Sequence, residues 1–347
     1  MKRRGPSPKI PGELDRGELA FIEAIRRRAG PGTSGNLRLG MGDDCAVLRP
    51  SPGEEICVTT DFSLEGVHFR RDWHPPEAVG HRCLARGLSD LAAMGAEPLG
   101  VFLSLALPAR ISAAWVDRFF RGFLALAAEH RVTLAGGDTA QSPGPMAADI
   151  VAVGQAPREK ALLRSGARVG DILFVTGSLG GAAAELRAIA SHPARFLRMH
   201  GAADGHPHLY PQPRLAAGRR LRGVAHAMID ISDGLSTDLA HVCRASGVSA
   251  TVEQAELPVH PLAAQEPDAL ELALNGGEDY ELLFTAPPNA RIPRRIGGVP
   301  VHRIGAIEKR GEPLLRLRTP EGRTRRLEPA GWEHFRPVEK RAPRASR

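Results

Sequence analysis

The chain has 347 residues, of which 42% are hydrophobic and 24% are charged, an ordinary composition for a globular protein. Glycine and proline together make up about a fifth of the residues, too few for a collagen or a low-complexity chain. The length predicts two domains with sizeable buried cores, and it excludes a small module that depends on disulfide bonds.

The positive charge of the chain is concentrated at its two ends. Lysine and arginine outnumber aspartate and glutamate by seven. Residues 1–13 and 338–347 combine basic side chains with proline, which predicts basic, flexible tails. Between the tails the charge is nearly balanced, and aromatic residues are only 5% of the chain. We therefore expect no nucleic-acid partner, although a basic nucleic-acid-binding protein remains the alternative from a different functional class.

Cysteine usage and hydropathy predict a cytoplasmic protein. The four cysteines, Cys45, Cys57, Cys83 and Cys243, include no CxxC pair, which argues against a zinc site. Their number and spacing fit a reducing compartment. The basic start lacks the apolar run of a signal peptide, and the apolar stretch 101–107 is too short to cross a bilayer.

In the first half of the chain, hydrophobic periodicity predicts an α/β domain that ends near Pro157. The predicted elements are a helix over 19–29, strands over 45–48 and 55–59, a helix over 77–94, a strand over 99–107, a helix over 113–130, and strands over 132–135 and 150–155. The long helix follows Pro75 and Pro76 and stops at Gly95, which are ordinary start and stop signals.

The second half again mixes strands and helices, which predicts a second α/β-type domain. The predicted elements are a strand over 172–176, helices over 182–190 and 215–221, a strand over 227–231, a helix over 235–245, and strands over 248–252, 280–284 and 301–304. A polar stretch over 200–213 is expected to be a surface loop. The glycine-rich turn 177–181 either offers N–H groups to a phosphate or allows tight packing, and the sequence leaves both interpretations open.

Acidic residues recur where predicted strands end or begin. They are found in the segments Gly42-Asp43-Asp44, Thr59-Thr60-Asp61, Gly136-Gly137-Asp138, Asp230-Ile231-Ser232-Asp233 and Gly276-Gly277-Glu278, and Asp90 lies inside a helix. Taken singly, each is most simply a turn or capping residue. Taken together, they predict several carboxylates in one cleft. Such a cluster requires cations, and oxygen ligands favour Mg²⁺, which commonly binds substrate phosphates. The pattern thus indicates nucleotide-dependent phosphoryl transfer.

Other common catalytic patterns are missing from the sequence. It has no P-loop motif, no G-x-G-x-x-G after a strand, no nucleophile elbow and no H-E-x-x-H pattern. These absences argue against P-loop, Rossmann, serine hydrolase and zincin enzymes.

Taken together, the motifs resemble those of the thiamine-monophosphate kinases, a family of the aminoimidazole-ribonucleotide synthetase-like ATP-binding superfamily. The matching segments are MGDDCAVL, TTDFSLEGVHF, LSDLAAMGAEP, GGDT, LLRSGARVGD, VTGSLGG, IDISDGLSTDLAH, NGGEDYELLFT and GWEHF, which run from about Gly42 to Phe335 in the order of the family. DISDGL and GGEDYELLFT point to the kinase rather than to its superfamily relatives.

The resemblance implies a two-domain α/β (α+β) fold. A mixed-sheet α/β domain over 14–157 would bind metal and ATP and form the interface of a homodimer, and an α+β domain would span 158–337. It further implies a Mg²⁺-dependent kinase (EC 2.7.4.16) that transfers the γ-phosphate of ATP directly to thiamine monophosphate, in the biosynthesis of thiamine diphosphate. Several Mg²⁺ ions are expected as cofactors, and ATP and thiamine monophosphate are the expected binding partners.

Site residues follow from the same resemblance. The implied metal ligands are Asp44, Thr59, Thr60, Asp61, Asp90, Asp138, Asp230 and Asp233. The implied nucleotide contacts are Gly137, Asp138, Arg164 and Ser232. The implied contacts to thiamine monophosphate are His68, Glu278 and Trp332. Direct catalytic roles fall to Asp61, Asp138 and Arg164.

The nearest alternative is another ATP-dependent enzyme of the same superfamily. Selenophosphate synthetases carry a reactive cysteine or selenocysteine near the N-terminus, whereas the first cysteine of this chain is Cys45. One departure from the kinase pattern is Gly87, where the family often has asparagine, and it puts a local hydrogen bond in doubt.

Overall fold

A computed structural model describes residues 18–30, 35–199 and 205–333. The tails predicted over 1–13 and 338–347, and part of the loop predicted over 200–213, lie outside these ranges. The helices are α1 (Glu18–Ala29), α2 (Pro76–Ala93), α3 (Ala113–Glu129), α4 (Gly181–Ser191), α5 (Pro193–Leu197), α6 (Leu215–Leu221), α7 (Leu235–Ser246) and α8 (Ala269–Asn275). The strands are β1 (Leu37–Leu39), β2 (Val47–Leu48), β3 (Glu54–Leu64), β4 (Glu97–Pro108), β5 (Leu134–Ser142), β6 (Ala147–Pro157), β7 (Ile172–Thr176), β8 (Ala227–Asp230), β9 (Val248–Glu253), β10 (Leu282–Ala286), β11 (Arg295–Ile296), β12 (Val299–Lys309), β13 (Leu315–Arg318) and β14 (Thr324–Arg326).

Two mixed sheets organise the molecule, which confirms the predicted fold class. The first has four strands in the order β3-β6-β4-β5, with β4 and β5 parallel and the other neighbours antiparallel. The second runs β14-β13-β9-β12-β7-β10-β8, and β11 pairs with β12 at its side. Strands of the first sheet come from the first half of the chain, and those of the second sheet from the second half.

Helix α2 is the central element of the first half. Pro76 occupies its first turn, where a missing N–H costs nothing, and Gly95 follows it with a φ of 64°. Almost every residue of the helix is buried, because it packs against strands of the first sheet, α3 and α6. The largest core cluster extends from this helix to Leu282 and Phe284 of β10, so the two halves share apolar contacts. In the described ranges, no helix is long and apolar enough to cross a membrane.

Two sequence-based predictions about strand ends are wrong. The Thr59-Thr60-Asp61 segment lies inside β3, because β3 pairs with β6 without interruption from Glu54 to Leu64. Asp138 lies inside β5, which pairs with β4 as far as Ser142. Continuous pairing satisfies the backbone groups of these polar residues, so the strands do not have to end there.

The predictions in the second half hold for β7 and α6, and they miss other elements. The strand predicted over 280–284 begins at Leu282, because Tyr280 has a φ of 51°, which is incompatible with extended backbone. The sequence analysis also missed α8, β13 and β14, whose short runs carry no strong periodicity.

Glycines set the distance between α2 and α3. A Cβ atom on Gly122 would lie 1.9 Å from the backbone oxygen of Glu77, and one on Gly80 would lie 2.0 Å from that of Phe119. We expect Gly122→Ala to lower the free energy of unfolding by about 3 kcal/mol, because the helices must move apart. Denaturant unfolding of purified protein checks this.

Gly144→Ala is the matched control for that change, because a Cβ atom there has no neighbour within 4 Å. It should change the free energy of unfolding by less than about 0.5 kcal/mol. Equal stability of the two variants would contradict the close packing of α2 on α3.

Candidate active site

A cavity of about 440 Å³ receives side chains from both halves of the molecule. We call it the acidic cavity. It collects nine of the residues singled out from the sequence, namely Asp61, His68, Asp90, Arg164, Asp230, Ser232, Asp233, Glu278 and Trp332. These residues come from two strands, a helix and several loops that are far apart in the sequence, so only the fold assembles them.

A second cavity of about 650 Å³ lies beside β5 and is lined by glycines of that strand and of the turn before β2. We call it the glycine cavity. Its walls include Asp44 from the turn before β2 and Gly137 and Asp138 from β5. Gly137 has a φ of 145°, and a Cβ atom there would lie 1.9 Å from the backbone oxygen of Leu103, so only glycine fits. The predicted site residues thus divide between two cavities, except Thr59 and Thr60, which line neither.

The neighbouring threonines of β3 face opposite sides of the sheet. Thr59 donates a hydrogen bond to Asp90, and Thr60 donates one of 2.7 Å to Asp149. This follows from the two-residue period of a strand, which puts Thr59 and Asp61 on one face and Thr60 on the other. The hydroxyl of Thr60 is therefore turned away from the acidic cavity, and metal binding by Thr59, Thr60 and Asp61 remains a prediction.

Three carboxylates of the acidic cavity repel one another. Burial raises the pKa of Asp61 to about 6, and nearby Asp90 adds to the shift while Arg86 opposes it. Burial and Asp90 together raise the pKa of Asp230 to about 7, although Ser89 donates a hydrogen bond of 2.6 Å to this carboxylate. Without a cation, these two carboxyl groups therefore keep their protons to a higher pH than an exposed aspartate does.

The oxygen donors of this cavity fit Mg²⁺ that is shared with a ligand. Within residues 18–30, 35–199 and 205–333, no three His, Cys, Asp or Glu side chains form a ready-made metal site. Mg²⁺ typically takes one or two carboxylates and completes its shell with water and substrate phosphates. Asp61, Asp90 and Asp230 are suited to that arrangement because they face one cavity.

Glu278 is held by buried partners, which the sequence analysis did not identify. Arg82 of α2 donates a hydrogen bond of 2.5 Å to one of its carboxylate oxygens. The other oxygen lies 3.3 Å from Nδ1 of His208, whose Nε2 lies 3.0 Å from Nε2 of His74. Burial lowers the pKa of His74 to about 4, so this pair stays neutral near pH 7. Glu278 has a φ of 67°, a strained conformation that this network maintains.

Backbone hydrogen bonds join the Glu278 turn to the Asp230 turn. The N–H of Glu278 donates to the carbonyl of Ser232 at 2.7 Å, and that of Tyr280 donates to the carbonyl of Ile231 at 2.9 Å. The two motifs therefore form one rigid wall of the cavity. At its rim, the N–H of Trp332 donates to the carbonyl of Asp233 at 3.0 Å, which leaves the indole 53% exposed.

The N–H groups at the end of the glycine-rich turn 177–181 already donate hydrogen bonds to a carboxylate. Asp279 accepts hydrogen bonds from the N–H groups of Gly180, at 2.7 Å, and Ala182, at 3.1 Å. A Cβ atom on Gly180 would also lie 2.8 Å from backbone atoms of Leu272. The structure favours the packing interpretation of these glycines over the phosphate-binding one.

The arginines of α2 could have been found from the sequence. Arg82, Arg86 and Asp90 are four residues apart, a spacing that places all three on one face of a helix. Their helix was predicted correctly, and Asp90 was already a candidate. His208, Tyr280 and Asp149 gave no comparable signal, because only the fold brings them to their partners.

Comparisons with known proteins show which family the chain resembles over most of its length. The family described as AIR synthase related protein matches with its N-terminal domain at residues 42–156 and with its C-terminal domain at residues 168–317. The thiamine-monophosphate kinase of Salmonella typhimurium is 38% identical over 311 residues, which cover 86% of this chain and 93% of that protein.

Solved structures give the same result. The crystal structure of thiamine-monophosphate kinase from Stenotrophomonas maltophilia K279a has a TM-score of 0.73 and 36% identity, and the match covers 86% of this chain and 95% of that one. AaThiL complexed with AMPPCP and TMP has a TM-score of 0.71 and 28% identity, and the match covers 93% and 98%.

Removing the Asp279 carboxylate tests its role in the glycine-rich turn. We expect Asp279→Ala to lower the free energy of unfolding by about 3 kcal/mol, because two buried N–H groups lose their acceptor. Asp279→Asn keeps one acceptor oxygen and should lose about half as much. Asp268→Asn, at an exposed carboxylate bonded to Arg187, is the control for loss of charge. Denaturant unfolding that shows wild-type stability in Asp279→Ala would contradict this assignment.

Proposed function

This chain belongs to the thiamine-monophosphate kinase family (EC 2.7.4.16), and we propose that Mg²⁺ and side chains of both cavities bring its two phosphorylated substrates together. The protein is a kinase that transfers the γ-phosphate of ATP directly to thiamine monophosphate, giving thiamine diphosphate and ADP in thiamine diphosphate biosynthesis. The activity predicted from the motifs is thereby confirmed, and its dependence on Mg²⁺ is part of the proposal.

The observation that carries the proposed mechanism is the convergence of carboxylates and arginines in the acidic cavity. Both substrates are polyanions, so the reacting phosphates repel each other until their charge is neutralised. We assign Mg²⁺ binding to Asp61, Asp90 and Asp230, with Thr59 and Asp233 beside them. When bound, Mg²⁺ would neutralise the transferring phosphoryl group. Thr60 is left out of this set because its hydroxyl is bonded to Asp149.

We assign the nucleotide to the glycine cavity and the space between the two cavities. Gly137 provides close approach to the backbone, and Asp44 and Asp138 are the carboxylates available there for the metal ions that accompany ATP. Arg164 and Ser232 of the acidic cavity would contact the phosphates at the other end of ATP. This assignment gives each predicted nucleotide contact a place along one extended ligand.

We assign thiamine monophosphate to the rim and the buried end of the acidic cavity. The exposed indole of Trp332 offers a surface for an aromatic ring, and Glu278 and His68 lie deeper. The substrate phosphate is already ionised at neutral pH, so its attacking oxygen needs no general base. Positioning and charge neutralisation are then the main contributions of these side chains to the rate.

We also propose a homodimer formed through the first sheet. Ile56, Val58 and Phe62 alternate along β3, and their side chains are 45%, 64% and 60% exposed. Three large apolar side chains on one edge strand form a patch that a second copy of the domain over 14–157 would cover. The free cysteines and the kinase assignment further support a cytoplasmic location, which we include in the proposal.

The activity is tested with ATP, Mg²⁺ and thiamine monophosphate, with free thiamine as a parallel substrate. We expect thiamine diphosphate from the monophosphate alone, and only when Mg²⁺ is present. Asp61→Asn should lower kcat by about 100-fold or more, because it removes a charged oxygen ligand. Chromatographic measurement of thiamine diphosphate checks both expectations.

Asp72→Asn is the control for Asp61→Asn, because Asp72 is an exposed carboxylate paired with Arg70. It should retain wild-type turnover. Wild-type turnover of Asp61→Asn at saturating Mg²⁺ would exclude the metal role of Asp61, and absence of product from the folded wild type would refute the assigned activity.

The dimer is tested by placing a charge in the exposed patch on β3. Val58→Asp should convert a dimer into a monomer in light scattering coupled to size-exclusion chromatography, because a buried unpaired carboxylate opposes association. Val169→Asp is the matched control, since Val169 is 63% exposed and lies outside the first sheet. A monomeric wild type, or a Val58→Asp variant that remains dimeric, would contradict the proposed interface.

A further inference from the structure

The side chain of Arg86 lines the acidic cavity and is poorly satisfied there. It is only 15% exposed, and its Nε atom is buried without a hydrogen-bond partner among the described residues. Its Nη2 lies 3.6 Å from Asp61, and its Nη1 lies 3.7 Å from Glu278. Both distances are longer than a good hydrogen bond, so the guanidinium forms two long ion pairs in place of short, well-aligned bonds.

Arg82, one helical turn earlier on α2, differs from Arg86 because it makes hydrogen bonds within the fold. Its donors reach the carbonyls of His208 and His68 and the carboxylate of Glu278. Those bonds explain its burial as part of the fold. Arg86 lies on the same face of α2 and lines the acidic cavity, where its Nε has no partner among the described residues and its two ion pairs are 3.6 and 3.7 Å long. A buried guanidinium with unused donors is costly unless a ligand completes its hydrogen bonds.

The chemistry of Arg86 identifies the class of that ligand. A guanidinium presents a planar set of N–H donors that matches the oxygens of a phosphate group. Arg86 lies between Asp61, which we assign to metal binding, and Glu278, which we assign to thiamine monophosphate. A phosphate that binds Arg86 also lies near these two carboxylates, so its negative charge has to be offset by the guanidinium on one side and by Mg²⁺ on the other.

We propose that Arg86 is a substrate-binding residue that donates hydrogen bonds to the phosphate of thiamine monophosphate and holds this attacking group beside Asp61. This inference rests on the proposed function and adds a residue to it. The guanidinium replaces part of the water shell of the acceptor phosphate and offsets its negative charge as it nears the γ-phosphate of ATP. ATP itself is bound mainly through the glycine cavity, so its affinity does not depend on Arg86.

Steady-state kinetics of Arg86→Met and Arg86→Lys test the inference. Met keeps much of the aliphatic length and removes the charge, whereas Lys keeps a charge without the planar donor set. We expect Arg86→Met to raise the KM for thiamine monophosphate by about 10- to 100-fold, with the KM for ATP within about twofold of wild type. Arg86→Lys should recover part of the loss.

Two further measurements separate binding from a structural role. The thermal midpoint of Arg86→Met and its binding of AMPPCP establish that the variant is folded. The ³¹P resonance of enzyme-bound thiamine monophosphate is recorded in the presence of AMPPCP. This resonance should have a different position in Arg86→Met than in the wild type, or it should be absent because the variant no longer binds the substrate. Arg158→Met is the control for loss of one positive charge, since Arg158 is 77% exposed and its nearest carboxylate is 4.0 Å away.

Three results would overturn the inference. The first is a KM for thiamine monophosphate within twofold of wild type in Arg86→Met. The second is a parallel rise in both KM values, which indicates local damage to the site. The third is an unchanged ³¹P resonance at saturation. A wild type that forms no thiamine diphosphate would instead refute the proposed function, so the two failures are distinguishable.

Discussion

The mutual repulsion of buried carboxylates is the constraint on which the rest of this molecule depends. Asp61, Asp90 and Asp230 come from a strand, a helix and a strand end, and the fold brings them to one cavity. Burial and the nearby charge of Asp90 raise the pKa values of Asp61 and Asp230, so it is costly to hold these carboxylates together without a cation. The free energy that offsets this repulsion comes from the packing of α2 between the two halves and from the cations that accompany the substrates. An arrangement that is unfavourable alone and favourable with Mg²⁺ and phosphate is suited to binding them together.

Strain and hydrogen bonding are concentrated on the opposite wall. Glu278 and Tyr280 both have positive φ angles, although neither is glycine. Three kinds of contact hold them there: the Arg82 ion pair, backbone bonds to the Asp230 turn, and the Asp279 carboxylate that fixes the glycine-rich turn. The same segment therefore positions a substrate contact on one side and secures the fold on the other. This dual use explains why the GGEDY segment is so compact in sequence.

Much of the fold could be predicted from local patterns. Helices α2 and α3 have long amphipathic or apolar runs with clear start and stop signals, and their predicted bounds lie within a residue or two of those observed. Strand lengths were predicted less well, because β3 and β5 continue through polar residues that sequence patterns assign to turns. Pairing with β6 and β4 decides where β3 and β5 end. The sequence of one strand does not identify the strand that it pairs with.

The candidate site, like the fold, could be predicted from the sequence only in part. The sequence by itself determined the chemistry, because acidic and glycine-rich segments with this content and order specify oxygen ligands, close backbone approach and the resemblance to a kinase family. Only the tertiary structure decided which of these groups act together. It separated Asp44 and Asp138 from Asp61, turned Thr60 away from Thr59, used the N–H groups of the glycine-rich turn for Asp279, and added Arg86 to the site. The physical reason is that residue type fixes what a group can bind, whereas contacts between distant segments fix its direction, its burial and its neighbours.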